Sequence, residues 1–329
     1  MKLFKSVLAL SVTALLLSGC GGKLGAKTLK MNVSAAQDTV WSVAADTFAQ
    51  LVEENTDGRW RVELSYADST EESVRTLERL LDGKADADLR SVSDLQGREE
   101  RLSVLSLPWL FTDYQDVDRR LFNGSGGETV RNLIRAAGLE PLALAENGFR
   151  QVSNDRRPIA APADFRGLTV RAGNEALESA LFTAFGAEPV RMDWDETFPA
   201  LRDGDVQGQQ NTPEMIRSAQ VDRVQRYLTV WNSVYDPLCL SVSAQLWAEL
   251  SEEDKEAFYA AAREACAAEI AASRARDAEI LSGFRFSGVQ VTVLTPSQIR
   301  AFRTAAEPLY DLWRENYGTE PLAALGYSG

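Results

Sequence analysis

The sequence contains no histidine in 329 residues. Without imidazole, the chain cannot form a Ser-His-Asp or Cys-His nucleophile system, a histidine-ligated metal site or an imidazole acid–base catalyst. A Gly-Lys-Ser/Thr phosphate loop is also missing. Asp82, Asp86 and Asp88 stand close together, but they lack the spacing and the closing glutamate of a calcium loop. We therefore expect no catalytic residue, no metal site, no cofactor and no enzymatic activity.

Basic residues are outnumbered, with 35 lysines and arginines against 48 acidic residues and a formal net charge of -13. Binding to nucleic acid requires a basic surface that neutralises phosphates, so we expect no nucleic-acid partner. The remaining composition is ordinary, because 45% of the residues are hydrophobic and 25% are charged. A chain of this length has room for about two domains.

An apolar run over residues 7–17 follows Lys2 and Lys5 at the N-terminus. It is too short to span a bilayer and is typical of a secretory signal peptide. The run ends in Leu-Ser-Gly-Cys, which resembles the lipobox in which a cysteine becomes the lipidated first residue. We expect a lipoprotein signal peptide over 1–19, lipidation of Cys20 and a flexible tether over 20–26. The alternative is an ordinary signal peptide that contains a cysteine.

This N-terminus predicts a protein of the periplasm or cell envelope that is anchored to a membrane by lipid. Two of the three cysteines then remain in the folded part, Cys239 and Cys266. An oxidising compartment permits a disulfide between them. However, Cys239 lies in an apolar, strand-like run and Cys266 in an Ala-rich helical segment, so we expect two free thiols in the core.

Hydrophobic periodicity predicts alternating strands and helices. Leu29, Met31 and Val33 alternate with polar residues, helical spacing follows over 41–52, alternation returns over 60–66 and helical spacing again over 74–81. This β-α-β-α order predicts an α/β fold with a largely parallel sheet. The pattern resumes with a predicted strand over 166–171 and a helix through Leu201 that Asp195 is expected to cap.

A single long helix is predicted near the C-terminus, since no glycine or proline occurs from Ser251 to Ser282. Ser251 with Asp254 forms a capping-box signal. A helix of that span is about 48 Å long, which is longer than one small lobe needs. We therefore predict a helix that lies across two lobes, with an undetected break as the alternative.

Five short motifs follow one another in the second half of the chain. They are Asn-Gly-Phe-Arg-Gln from Asn147, Asp-Phe-Arg-Gly-Leu-Thr-Val-Arg from Asp164, Met-Asp-Trp-Asp-Glu from Met192, Gly-Asp-Val-Gln-Gly-Gln-Gln-Asn from Gly204 and Val-Gln-Arg-Tyr-Leu from Val224. In order and spacing, this set resembles the substrate-binding proteins of TRAP (tripartite ATP-independent periplasmic) transporters. The resemblance covers nearly the whole mature chain and is densest between Asn147 and Glu264.

The resemblance implies a two-lobed, periplasmic-binding-protein-like fold with hinged α/β lobes and one long helix spanning both. It implies a first lobe over 27–147 plus about 237–270, and a second lobe over 148–236 plus about 271–329. The implied function is the capture of a small organic-acid anion between the lobes and its delivery to a membrane permease. The expected partners are that ligand, the TRAP permease subunits and, through Cys20, the membrane.

The resemblance also assigns residues to the ligand site. Arg171 matches the arginine that clamps the ligand carboxylate, because a guanidinium presents two parallel donors to two carboxylate oxygens. Arg150 matches a second pocket arginine, and Asn211 an asparagine whose amide can donate to the same carboxylate. Trp194 matches a pocket aromatic, with a core aromatic as the alternative. Asn32 matches a polar contact from the first lobe.

The segment from Asp82 to Ser91 departs from the family pattern. Small or acidic residues are commoner at its end, where this chain has Arg90 and Ser91. An Arg90 that faces the cleft would favour a second acidic group on the ligand, and the alternative is an Arg90 that faces solvent. Glu72, near a helix start, would suit ligand hydroxyls or an ammonium group. The expected ligand is a sugar acid, a hydroxy acid or a dicarboxylate.

Three other functions are compatible with the residues alone. One is a binding lipoprotein of an ABC importer or of a sensor, which would have similar lobes. Another is an extracytoplasmic enzyme that uses carboxylates, although no acid–base pair is recognisable. The third is a structural lipoprotein with no small-molecule ligand.

Overall fold

A computed structural model describes residues 25–67, 69–173 and 176–327. The predicted signal peptide and Cys20 lie outside these residues. The strands are β1 (Lys27–Val33), β2 (Trp60–Tyr66), β3 (Ala87–Ser91), β4 (Leu139–Phe149), β5 (Gln151–Asn154), β6 (Thr169–Ala172), β7 (Glu188–Arg191), β8 (Gly208–Asn211), β9 (Tyr227–Val230), β10 (Tyr235–Ser243) and β11 (Gln290–Val293).

The α-helices connect these strands and cover both sheets. They are α1 (Trp41–Asn55), α2 (Thr70–Leu81), α3 (Tyr114–Val117), α4 (Ser125–Ala136), α5 (Ala176–Ala184), α6 (Trp194–Asp203), α7 (Pro213–Ser218), α8 (Ala244–Glu249), α9 (Glu252–Phe284), α10 (Pro296–Tyr317) and α11 (Glu320–Ala324). In the described part of the chain, no helix combines the length and the apolar character needed to cross a membrane.

The first sheet has the strand order β2-β1-β3-β10-β4. As the β-α-β-α pattern predicts, β1 runs parallel to β2 and to β3. The side chains of Leu29, Met31 and Val33 are all buried, which confirms the predicted alternation. The sheet is not largely parallel, however, because β10 inserts antiparallel between β3 and β4. That strand comes from a distant part of the chain, so local periodicity carried no signal of its direction.

The second sheet has the order β11-β9-β5-β8-β6-β7 and is also mixed. Here β5 runs antiparallel to β8 and β9, whereas β6 runs parallel to β7 and β8. The strand predicted over 166–171 begins only at Thr169, because a 3₁₀ turn over Pro162–Phe165 and the positive φ of Gly167 (73°) occupy the residues before it.

Each sheet with its covering helices forms one lobe, so the predicted two-lobed α/β fold is confirmed. We call the lobe of the five-stranded sheet the first lobe and that of the six-stranded sheet the second lobe. The chain passes between them from β4 to β5 and from β9 to β10. Although α11 follows second-lobe elements in the chain, it packs against α4 in the first lobe. The residue limits given above for the lobes remain a prediction.

Helix α9 is continuous and belongs to both lobes, as predicted. Its N-terminus is capped by Ser251, whose hydroxyl accepts a hydrogen bond from the backbone N–H of Asp254 at 3.1 Å. Ala261 and Ala265 are fully buried against the first lobe, where small side chains allow α1 and β4 to approach closely. The other end carries Phe284 into the core beneath the second sheet. The helix is therefore a common support for both lobes.

The two cysteines confirm the prediction of free thiols. Cys239 lies in β10 and Cys266 in α9, and both are buried and unbonded. Burial raises the pKa of each thiol well above its usual range. Both are therefore protonated core residues at neutral pH rather than reactive groups.

Buried carboxyl groups line α9 where it passes from one lobe to the other. Glu269 accepts a hydrogen bond from the backbone N–H of Glu146 at 3.0 Å, and Arg274 pairs with Glu146 at 2.9 Å. Asp277 accepts from the hydroxyl of Tyr114 and from the backbone N–H of Glu214, both at 3.3 Å. Burial and the nearby Glu146 raise the pKa of Asp277 to about 8.

This raised pKa predicts a specific pH dependence of stability. Because the pKa of Asp277 is higher in the folded than in the unfolded chain, its contribution is complete below about pH 4 and is lost as the pH rises towards 8. In Asp277→Asn, Oδ1 still accepts from the backbone N–H of Glu214, while Nδ2 can donate to the Tyr114 hydroxyl. We expect the unfolding free energy of this variant to fall less steeply with pH over this range, by up to about 1.4 kcal/mol per pH unit. Urea unfolding at a series of pH values measures this effect.

Glu279→Gln is the matched control, since Glu279 lies on the same helix and its side chain is 72% exposed. We expect the pH dependence of this variant to follow that of the wild type. If the unfolding free energy of Asp277→Asn falls with pH as steeply as that of the wild type, Asp277 is already ionised in the folded protein over this range.

Candidate functional site

A cleft of about 1110 Å³ lies between the two lobes. The first lobe contributes the ends of β1 and β3 and the start of α2. The second lobe contributes the ends of β6 and β8 and the start of α6. Six predicted site residues line this cleft, namely Arg90, Ser91, Arg150, Arg171, Trp194 and Asn211. The fold thus brings together residues that are up to 121 positions apart in the chain (Arg90 to Asn211).

Arg171 lies at the end of β6 and is 6% exposed. Its guanidinium carbon is 5.4 Å from the centre of the Trp194 ring, which is a cation–π contact. Trp194 therefore lines the cleft and also contacts the arginine that is expected to hold the ligand. Asn211 ends the neighbouring strand β8, and its Oδ1 accepts from the backbone N–H of Thr212 at 2.9 Å. The part of the amide that Asn211 can offer to a ligand is its donor, Nδ2.

Arg150 occupies the crossing between β4 and β5, and its backbone N–H donates to the carbonyl of Val234 at 2.8 Å. Its guanidinium is 3.1 Å from the carboxylate of Asp236 and 3.8 Å from that of Glu178. All three side chains are at least nine-tenths buried. The position of Arg150 is therefore set before any ligand arrives, and its charge is already partly balanced.

Asp236 is a central residue of the site, although no sequence motif pointed to it. Its two carboxylate oxygens accept from Ser91 Oγ at 2.6 Å and from Asn147 Nδ2 at 2.8 Å, besides the contact with Arg150. Asp236 thereby joins β3 of the first lobe to the crossing strands. The only sequence signal was a charged residue at the start of the apolar run that forms β10.

Arg90 lies in β3 and is only 1% exposed, so the alternative in which it faces solvent is wrong. It lines the cleft but is held by an ion pair with Asp88 at 2.7 Å. Burial raises the pKa of Asp88, and the charge of Arg90 opposes that rise. The sequence allowed a cleft-facing Arg90, but it gave no sign that the carboxylate of Asp88, two residues away, would pair with it.

Asn32 and Glu72 do not line the cleft. Asn32 lies behind its first-lobe wall, with Nδ2 at 3.3 Å from Thr76 Oγ1 and 3.4 Å from Asp88 Oδ2. Glu72 is partly buried in the first turn of α2, where its backbone N–H donates to Ser69 Oγ at 3.3 Å. Asn32 is therefore placed to orient Asp88, and neither residue is placed to contact a molecule in the cleft.

A side-chain hydrogen bond between two residues of the cleft lining joins α2 of the first lobe to α6 of the second. Thr70, at the start of α2, donates its hydroxyl proton to Asp195 at 2.9 Å. The predicted role of Asp195 as an N-cap is wrong, because α6 begins at Trp194 and follows Asp193 as its N-cap. Asp195 instead lies in the first turn of α6 and links the second lobe to the first.

The comparisons with known proteins agree with this geometry. The model of the family described as bacterial extracellular solute-binding protein, family 7 (DctP), matches residues 31–316. A solute-binding protein of Verminephrobacter eiseniae is 30% identical over 298 residues, which cover 91% of this chain and 88% of the relative.

Two solved structures of TRAP periplasmic solute-binding proteins resemble the fold closely. The protein from Ralstonia eutropha, with bound (S)-2-acetolactate, has a TM-score of 0.85 at 32% identity, covering 91% of this chain and 98% of its own. The protein from Polaromonas, bound to D-erythronate, has a TM-score of 0.83 at 30% identity with the same coverage.

Proposed function

This chain belongs to family 7 of the bacterial extracellular solute-binding proteins, and we propose that it is the substrate receptor of a TRAP transporter. In this proposal it captures a small organic-acid anion (a sugar acid, hydroxy acid or dicarboxylate) between its lobes. It then delivers the anion to the membrane permease subunits. The family and the solved neighbours favour a receptor over an enzyme, so the ligand is expected to leave chemically unchanged.

The observation that carries this proposal is the pair of arginines on the second-lobe side of the cleft. Arg171 lies near the end of β6 and Arg150 directly before β5, with β8 between these two strands, and both arginines are more than nine-tenths buried. A guanidinium offers two parallel N–H donors, which match the two oxygens of a carboxylate. Asn211, on the next strand, supplies an amide donor at the same edge of the sheet. Solved neighbours hold organic acids, as their descriptions state.

The cleft also supports a mechanism of capture. The ligand carboxylate binds first to the second lobe, and closure then brings the first-lobe side chains onto the rest of the molecule. Only the closed form makes both sets of contacts, so the ligand shifts the hinge equilibrium by its greater affinity for that form. Closure excludes water and thereby strengthens each ion pair within the cleft.

We expect Arg171→Lys to weaken carboxylate binding by about 10- to 100-fold. The charge remains, but the two-donor fork is lost, and a charged hydrogen bond contributes about 1.5–3 kcal/mol.

Isothermal titration of residues 26–329 against organic acids and neutral sugars measures the change in affinity, and NMR of the recovered ligand tests for turnover. Arg202→Lys is the control, because Arg202 lies on α6 with its side chain 56% exposed. Equal affinity in Arg171→Lys, or binding of neutral sugars alone, would contradict the carboxylate clamp.

We expect Thr70→Val to raise the ligand Kd by about 2- to 12-fold, mainly through faster dissociation. The variant removes the hydroxyl that reaches Asp195 across the cleft, and such a bond contributes about 0.5–1.5 kcal/mol to the closed form. Stopped-flow measurements separate the association and dissociation rates. Thr183→Val is the control, since its hydroxyl bonds within α5 to the carbonyl of Ser179. An unchanged dissociation rate would show that closure does not depend on this contact.

The proposed location is the periplasmic side of a membrane, with lipid on Cys20 as the anchor. The lipobox-like sequence before Cys20 supports this part of the proposal. We expect Cys20→Ser to move the full-length protein from the membrane to the soluble fraction of the expressing bacterium without changing its ligand affinity. Membrane retention of the variant would show that another feature holds the protein there.

A further inference from the structure

The first-lobe wall of the cleft is poor in available positive charge. Arg90 is the one basic residue among the described residues that line this wall. Its Nη2 lies 2.7 Å from Asp88 Oδ2 and 3.2 Å from the carbonyl of Ser73, while its Nη1 lies 3.6 Å from Asp94 Oδ2. Two carboxylates therefore already surround this guanidinium, and its charge is balanced from within the protein.

Other charges on the same wall are negative. Asp38, Asp94 and Glu100 line the cleft from the first lobe. A ligand carboxylate directed towards this wall would lose its hydration while meeting an already neutralised arginine and fixed negative charges. Removing a carboxylate from water is costly unless a counter-charge is supplied, and a like charge increases that cost. The wall therefore disfavours a second carboxylate on the ligand.

Hydroxyl groups dominate the same surface instead. The described residues of the wall include eight hydroxyl side chains, from Ser34, Thr39, Ser69, Thr70, Ser73, Ser91, Ser93 and Ser103. Such groups exchange hydrogen bonds with ligand hydroxyls in either direction, and the carboxylate of Asp94 is a further acceptor. The buried Nε of Arg90 has no hydrogen-bond partner among the described residues, so it is a donor suited to an uncharged oxygen.

We propose that the ligand carries a single carboxylate, held by the second lobe, and an uncharged hydroxylated tail that faces the first lobe. This inference rests on the proposed function and narrows it, since it selects hydroxylated monocarboxylates and excludes dicarboxylates. The paired Arg90 sets this selectivity by presenting donors without a net charge.

Pairs of acids that differ only at one end of the molecule test this inference. Gluconate and glucarate share one carbon skeleton, and the second differs in having a carboxylate in place of the terminal CH₂OH. Erythronate and meso-tartrate form the corresponding four-carbon pair. We expect the monocarboxylate to bind at least tenfold more tightly in any pair that binds, measured by isothermal titration. Hexanoate and butanoate, which lack hydroxyls, should bind at least tenfold more weakly than gluconate and erythronate, respectively.

A charge variant tests the role of the wall. Asp94→Asn removes one negative charge beside Arg90, and the half-exposed position of Asp94 makes it tolerant of substitution. We expect the preference for the monocarboxylate to fall at least threefold in this variant. Asp82→Asn is the matched control, because it makes the same change in net charge at a side chain that is 60% exposed and outside the cleft lining.

The outcomes separate this inference from the proposed function. A dicarboxylate that binds as tightly as its partner, through Arg171, overturns the inference and leaves the receptor function intact. Equal affinity for hexanoate and gluconate contradicts the proposal that the ligand has a hydroxylated tail. An unchanged preference for the monocarboxylate in Asp94→Asn contradicts the proposal that the charges of the first-lobe wall set this preference. If none of these acids nor any other organic acid binds, the proposed function falls and the inference with it.

Discussion

The site depends on the burial of arginine side chains beside fixed carboxylates. A guanidinium withdrawn from water loses hydration worth several kcal/mol, so it is retained only where a counter-charge and hydrogen bonds replace that hydration. Arg150 has Asp236 at 3.1 Å, and Arg90 has Asp88 at 2.7 Å. These pairs hold the donors in place before a ligand enters, which lowers the entropy that binding must overcome. These pairs also balance part of the charge of each arginine before a ligand enters.

The same constraint connects the site to the rest of the fold. Asp236 lies on β10, the strand by which the chain returns to the first lobe, and it accepts from Ser91 on the adjacent strand β3. Ser91 and Arg150 thus donate to the same carboxylate, that of Asp236, where the chain crosses between the lobes. Behind this crossing, α9 packs against both lobes, and its buried carboxyl groups contact β4, α3 and α7.

Several features of the fold followed directly from local sequence. The alternation in Leu29, Met31 and Val33, the capping of α9 by Ser251 and its uninterrupted helical span all depend on residues a few positions apart. The direction of β10 and the role of Asp195 did not follow, because each depends on a partner far away in the chain. The resemblance to a family placed Arg150, Arg171, Trp194 and Asn211 in a ligand site, and all four line the cleft. Asn32 and Glu72, predicted in the same way, lie outside the cleft lining.

By itself, the sequence determined the α/β class, the long helix and the family, together with the absence of imidazole chemistry. Each of these depends on composition or on short-range patterns that are visible in the sequence alone. Only the tertiary structure decided which polar and charged side chains meet. Ser91 reaches Asp236 across 145 residues, Arg150 reaches Asp236 across 86 and Thr70 reaches Asp195 across 125. Hydrogen bonds and ion pairs depend on distances of a few ångströms in space, and those distances exist only once both lobes have folded around α9.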